Sequence, residues 1–199
     1  MAARGEGAGE TPRSTDRLPP GQKLAEGFPV LDLGIRPKVP GEEWSLTIDG
    51  EVECPLTLDH TAFKSLPRTE SVSDFHCVTT WSTYDLKWSG VRFSEVVDRV
   101  LPLEDASFVF FTCYDGYSTN LPLGDLLAED VLLADTLEGK PLPLNHGGPV
   151  RLVIPHLYAW KAAKFLRTIT FQTEDTPGYW EKRGYSKTAD PWTNDRFLK

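Results

Sequence analysis

An excess of basic residues is missing from this sequence. Its 21 Lys and Arg face 29 Asp and Glu, for a net charge of −8. A general nucleic-acid binder draws most of its affinity from phosphate contacts and is usually basic. The balance therefore argues against nucleic acid and against an anionic membrane surface. No apolar run is long enough to cross a bilayer. Cysteine is scarce: Cys54, Cys77 and Cys113 are odd in number and show no CxxC spacing. That excludes a disulfide framework and the closely spaced ligand pairs of structural zinc. Neither GxxxxGK[ST] nor GxGxxG occurs, so no phosphate loop or dinucleotide fingerprint is encoded. The opening MAARGEGAGETPRSTDR has no apolar core and no twin-arginine pair. It reads as neither secretory nor twin-arginine signal, and the expected location is the cytoplasm.

What is present is a chain of 199 residues, 40% apolar and 25% charged, enough for one domain with a real core. Sixteen prolines and six tryptophans point to stiff loops and aromatic packing rather than long helices. Residues 1–27, rich in Gly, Pro, Arg and Glu, read as a flexible N-terminal arm, and the domain is expected over 28–199. Trp44-Ser45-Leu46-Thr47-Ile48 alternates and meets Asp49-Gly50, a hairpin pattern with a tight turn. Thr57 is placed to cap a helix over 58–66, ending at Pro67. Strands are expected over 70–77, 106–113, 131–137, 150–154 and 167–173. Short helices are expected over 93–101 and 122–127, and an irregular wrap over 176–199. The sum is an α+β domain with mixed, mostly antiparallel sheets and short helices.

Three thiols compete for a chemical role. Cys54, before Pro55, reads as a small apolar filler. Cys113 closes the run Phe108-Val109-Phe110-Phe111-Thr112 and reads as a buried structural cysteine. Cys77 leaves a strand into the polar-aromatic loop Val78-Thr79-Thr80-Trp81-Ser82, a setting suited to reactivity or to metal. A Cys/His dyad with His76 is disfavoured, because strand neighbours point to opposite faces. A second feature is electrostatic. No acidic residue lies between Glu138 and Glu174, where Lys140, Arg151, Lys161, Lys164 and Arg167 join His146 and His156. This basic stretch suits one compact anion such as a phosphate, or else forms a solvated face.

Two segments together carry a resemblance. The first is Asp74-Phe75-His76-Cys77-Val78-Thr79-Thr80-Trp81-Ser82, followed by Trp88-Ser89-Gly90-Val91. The second runs from Gly139-Lys140-Pro141 through His146-Gly147-Gly148-Pro149-Val150-Arg151 to Tyr158-Ala159-Trp160-Lys161-Ala162-Ala163-Lys164. In order and separation they resemble the molybdopterin-binding domain of the sulfite oxidase family, over roughly residues 28–199. The resemblance implies a molybdenum-molybdopterin cofactor and two-electron oxygen-atom transfer. It implies Cys77 as the catalytic protein ligand to molybdenum, bound to the metal and not acting as a nucleophile. Thr112, His146, Arg151, Ala162, Ala163 and Lys164 match positions that contact the pterin or its phosphate. Residues 117–120 and 17–23 are further candidates for lining the cofactor.

The sequence also departs from that family. Animal and plant sulfite oxidases place arginines just after the cysteine, whereas this chain has Thr80, Trp81 and Ser82, which argues against sulfite. The Cys-Val-x-x-Trp-Ser pattern resembles bacterial methionine-sulfoxide reductase subunits, which makes a small sulfoxide-type substrate one candidate and leaves the substrate open. Trp81, Tyr84, Tyr114 and His156 are candidates for the substrate pocket. Neither a haem domain nor the family's dimerisation domain is recognised. The expectation is a monomer with a separate electron-transfer partner. The alternatives are a cysteine-dependent hydrolase or transferase and a non-catalytic cofactor-binding module.

Overall fold

The computed structural model describes residues 17–39 and 42–198. Among them, eleven strands form two sheets joined by short helices. The first sheet contains β1 (Lys23–Leu24), β4 (Thr69–Cys77), β5 (Trp81–Arg92), β8 (Leu132–Leu137), β9 (Lys140–Pro141) and β10 (Arg151–Val153). Its spine is the hairpin of β4 and β5, with β8 on the far edge of β5 and β10 beyond it. The second sheet contains β2 (Ser45–Gly50), β3 (Leu56–Asp59), β6 (Phe108–Cys113), β7 (Ser118–Pro122) and β11 (Leu166–Gln172). Its strand order is β3-β2-β11-β6-β7. The sheets are mostly antiparallel as expected; β1 on β5 and β2 on β11 are the parallel pairs.

Alternation explains the second sheet. In β6, Val109, Phe111 and Cys113 face inward while Phe108, Phe110 and Thr112 are half-covered. In β2, Leu46 and Ile48 are fully buried. In the first sheet β8 is flanked on both edges, and its apolar run is buried on both faces. Helix α2 (Phe93–Val100) joins the two sheets. It follows β5 directly and buries Phe93, Val96 and Val100. Phe93 packs against Phe111 and Phe171 at ring distances of 6.1 and 6.3 Å. Leu101 in the left-handed region ends the helix, and Pro102 prevents its return.

Three expectations need correction. The Asp49-Gly50 pair does not turn the hairpin. Gly50 (φ +89°) lies against Phe171, whose carbonyl oxygen a Cβ would meet at 2.1 Å, so the pair ends β2 and the chain returns through 51–55. The helix over 58–66 shrinks to α1 (His60–Lys64), because Leu58 belongs to β3 opposite Leu46. The cap is Asp59, not Thr57: its carboxylate accepts the Ala62 N–H at 2.7 Å. The arm expected over 1–27 lies outside the described residues up to 16. From Arg17 onward it is bound to the first sheet: Arg17 forks onto Asp74 and Asp85, and Lys23–Leu24 pair with Trp81 and Ser82. The helix α3 (Leu123–Leu126) and, over the described residues 176–198, the irregular wrap with its Tyr185 to Phe197 bridge lie where the pattern placed them.

Candidate functional site

Two chain crossings create the site. The end of β4 bridges the 158–164 loop through His76 and Tyr158, so Cys77 meets the basic stretch. Phe28, Pro29, Leu31, Asp32 and Leu33 add a further part of the wall. The result is a cavity of about 280 Å³ whose wall includes Cys77, His146, Arg151, Ala162 and Lys164. Five of the seven residues singled out from the sequence are thus gathered at one void.

Cys77 is the last residue of β4, 6% exposed, with Sγ at 3.1 Å from the Thr79 hydroxyl. Burial pushes its thiol above the usual range, against the hydroxyl of Thr79 and the charges of Arg196 and Lys164. His76 turns away: its Nδ1 lies 2.8 Å from Ser82 Oγ, as the alternation of strand side chains requires. A thiol held protonated, without a base beside it, is a poor nucleophile.

The cationic part of the wall has a different logic. Arg151 is 1% exposed and donates to three backbone carbonyls, of His146 (2.9 Å), Ala162 (3.1 Å) and Leu152 (3.3 Å). Its guanidinium lies 5.1 Å from the Phe75 ring centre and 5.4 Å from that of Trp88. Lys164 donates to the carbonyls of Leu31 (2.6 Å) and Asn145 (3.0 Å). Neither cation has a carboxylate within ion-pair reach among the described residues. Asp32 and Asp115, also on the wall, are engaged by Arg36 and by the Tyr117 N–H. Burial pulls Arg151 down to about 9. Burial, and then the charge of Arg151, pulls Lys164 down to about 8. Gly147 (φ +105°) makes this packing feasible, since a Cβ there would meet Lys164 Cγ at 2.8 Å.

His146 completes the group. Its ring stacks on Phe28 at 4.4 Å and 3°, and its Nδ1 is buried without a hydrogen-bond partner. Burial, with Arg151 and Lys164, holds its pKa at about 4, so the ring is neutral at ordinary pH. Two cations outside any ion pair among the described residues, and beside them a buried ring nitrogen, form a surface suited to an anion with polar edges.

Other candidates lie elsewhere. Thr112 is not on the cavity wall; its hydroxyl sits 2.6 Å from that of Thr168 across β6 and β11. Ala163 is buried behind the wall, its carbonyl accepting the Leu152 N–H at 2.8 Å. Of residues 117–120, Tyr117 lines the cavity, whereas Asn120 accepts from Lys161. Lys23 is exposed, and Arg17 is taken by its two aspartates. Among the pocket candidates only Trp81 lines the void. Tyr84 lies under Arg17, Tyr114 hydrogen-bonds Ser45, and His156 is off the wall. Sequence reasoning missed Phe28, Phe75, Trp160, Trp180 and Tyr185 on the wall. The density of aromatic residues after 176 was visible, but which of them turn inward was not. Cys113 is a buried filler as expected, whereas Cys54 is exposed.

Comparison with known proteins adds the following. Residues 33–180 match the family described as the oxidoreductase molybdopterin binding domain. The chain is 45% identical over 182 residues to an uncharacterized oxidoreductase, YuiH, of Bacillus subtilis (strain 168), covering 91% of this chain and 92% of that protein. It is 30% identical over 157 residues to MsrP, a protein-methionine-sulfoxide reductase catalytic subunit of Campylobacter jejuni, covering 70% of this chain and 52% of that one. Among solved structures, the sulfane dehydrogenase SoxCD from Paracoccus pantotrophus shares the fold, with a TM-score of 0.66 and 18% identity over 75% of this chain and 42% of that one. The chain therefore spans nearly all of the Bacillus protein and about half of the reductase subunit.

Proposed function

The chain belongs to the oxidoreductase molybdopterin-binding domain family and is a molybdenum-cofactor oxidoreductase, and on that premise we propose that Cys77 ligates the molybdenum, that Arg151 and Lys164 hold the phosphate of the pterin, and that the enzyme reduces a small sulfoxide-type substrate. The observation that carries the reading is the meeting, at one cavity, of a buried thiol with a buried arginine and a half-buried lysine, neither of which forms an ion pair among the described residues.

The residues suit the group on their own terms. Among the described residues no cluster of three His, Cys, Asp or Glu forms a metal site. The protein therefore offers one soft ligand, and the rest of the coordination sphere has to arrive with the cofactor, as a dithiolene does. A phosphate would answer the missing counter-charge of Arg151 and Lys164. A flat heterocycle with polar edges would answer the unpaired Nδ1 of His146. When bound, the molybdenum centre supplies two-electron oxygen-atom transfer. The chain's own work is to bind, orient and exclude water. Cys77 would hold the metal as its thiolate, so loading would release the thiol proton. Trp81, Trp160, Trp180 and Tyr185 wall the void with rings that displace water.

Substrate class follows from the surroundings of the thiol. Residues 80–82 bring no arginine: Thr80 is in a left-handed turn, Trp81 lies on the wall and Ser82 is fully buried. A neutral S-oxide suits that wall better than sulfite does, and the name of the Campylobacter relative supports the same class. The described residues gather no second group of metal ligands, and we place the electron donor on a separate protein. Three free thiols suit a reducing compartment such as the cytoplasm.

The test is elemental and catalytic. Protein from a host that makes the cofactor should contain near-stoichiometric molybdenum and release a pterin on denaturation, and Cys77→Ala should lose the metal. With a reduced dye as donor, it should turn over methyl sulfoxides and leave sulfite unoxidised. Molybdenum-free protein from such a host overturns the cofactor assignment. Sulfite oxidation without sulfoxide reduction overturns the substrate class alone.

A further inference from the structure

The segment before the domain reaches the ligand thiol from behind. Gln22, 6% exposed, immediately precedes β1. Its Nε2 donates to the backbone carbonyl of Cys77 at 3.1 Å. The same oxygen accepts the Thr80 N–H at 3.1 Å, closing the turn that follows Cys77, with Thr80 at φ +74°. On its other side Gln22 Oε1 accepts from Ser82 Oγ at 3.5 Å, and Ser82 Oγ meets His76 Nδ1 at 2.8 Å. Gln22, His76 and Ser82 are all buried, at 6%, 4% and 0% exposure. A buried amide with both ends engaged is an ordered group.

Independent contacts hold Gln22 in place. Arg17 donates to Asp74 at 2.9 Å and to Asp85 at 2.7 Å, on the two strands of the hairpin that presents Cys77. The N–H groups of Lys23 and Ala25 donate to the carbonyls of Thr80 and Ser82, each at 2.9 Å. Thr83 Oγ1 donates to the Gly27 carbonyl at 2.8 Å. The segment is therefore stitched along the turn, and its one buried polar side chain here is aimed at the peptide carrying the thiol.

The geometry points to Gln22 as a positioning residue for the metal ligand: its amide fixes the Cys77 peptide and thereby the direction in which Sγ meets the metal. This rests on the reading of Cys77 as the molybdenum ligand. Gln22 touches no reacting atom. Its effect runs through the backbone, as the outer partners of metal ligands act elsewhere by orienting the donor and tuning the metal. A carbonyl oxygen has two lone pairs, and here both are used. Removing Gln22 leaves the Thr80 bond, so the turn loosens without losing its only support.

The experiment compares holoprotein of the wild type, Gln22→Met and Gln22→Glu, with Cys77→Ser as reference. Four quantities are read: molybdenum content, melting temperature, the electron paramagnetic resonance spectrum of the half-reduced metal, and the midpoint potential. Both Gln22 variants are expected to melt near the wild type and to keep most of the metal, with altered g-values and a displaced potential. Loss of molybdenum from a Gln22 variant that still melts cooperatively supports the same conclusion. If either variant fails to fold, the other decides. Wild-type spectra and potentials in the folded Gln22 variants, with or without a lower melting temperature, overturn the inference while the ligand assignment stands. Wild-type metal content and spectrum in Cys77→Ser overturn the ligand assignment, and this inference with it.

Discussion

Lys161 and Lys164 lie on the same loop, and both are withdrawn from water, yet the protein treats them in opposite ways. Lys161 is fully buried and meets Glu181 at 2.6 Å, with the carbonyl of Asn120 at 2.8 Å. Glu181 in turn takes hydrogen bonds from Thr119 and from the Trp160 indole. Burial pulls Lys161 below its ordinary value, and Glu181 opposes the shift. Lys164 and its neighbour Arg151 have only carbonyls to donate to. Carbonyls satisfy the N–H groups but form no ion pair, and Asp32 and Asp115 act on Lys164 only from a distance. A cation that serves the fold carries its own carboxylate, whereas a cation that serves a ligand is left short of one. The two lysines differ in burial, Lys161 being fully buried and Lys164 half-buried, and they differ also in partner.

The contrast can be broken most forcefully at Glu181. Glu181→Gln keeps the shape but leaves the Lys161 charge buried without an anion, and should cost about 3–5 kcal/mol. At this chain length that is a fall in melting temperature of roughly 6–20 °C. The double variant with Lys161→Met should recover most of it by calorimetry. An equal loss in the double variant would mean that the pair is not the source.

Arg151→Met should act on both fold and ligand. Three carbonyls lose a donor, at about 1–3 kcal/mol of stability. Affinity of the apoprotein for a phosphate monoester, followed by titration calorimetry, should fall roughly 10–100-fold. Lys164→Gln should separate the two roles: stability lower by about 1 kcal/mol through its two carbonyl contacts, and monoester affinity lower by about tenfold. A melting loss as large as that of Glu181→Gln would erase the distinction between the two lysines.

Titration sharpens the same point. Lys164, at about 8, loses its proton as pH rises, while the Arg151 guanidinium keeps its charge, so monoester affinity of the apoprotein should decline in part across that range. Between the folded value of Lys164 and its higher unfolded value, the unfolded chain binds more protons. Stability contributed by this group therefore rises with pH above about 8, and Lys164→Gln should flatten the rise. His146, held at about 4, stays neutral and should add no step near neutral pH. The smallest effect belongs to Thr112→Val. Its hydroxyl is paired with Thr168 off the cavity, so molybdenum content should be unchanged and stability lower by no more than about 1 kcal/mol.

Much of this was legible in the order of residues. A β-rich apolar run marked β6, alternation marked β11, and the apolar spacing of Phe93, Val96 and Val100 marked α2. The acid-free stretch from Glu138 to Glu174 marked the cations, and the loop after Cys77 marked the thiol. Thr112 misled because a strand residue shows its face only once the partner strand is known. Residues 17–27 misled because their composition is that of a tail, and what binds them is the hairpin of β4 and β5. Gln22 carries no local signal at all: its partner, the Cys77 carbonyl, is 55 residues away.

By itself the sequence determined the kinds of chemistry available: a thiol entering a polar-aromatic loop, a run of cations without acids, and apolar and alternating patterns that commit the chain to sheets. Those are properties of residue type and spacing, and they hold wherever the chain goes. Only the tertiary structure decided which cation was compensated. That choice depends on whether a carboxylate 20 residues along, Glu181, folds back within 2.6 Å, as it does for Lys161 and not for Lys164. Coulomb energy and desolvation act through space, and distance through space is what a linear sequence does not carry.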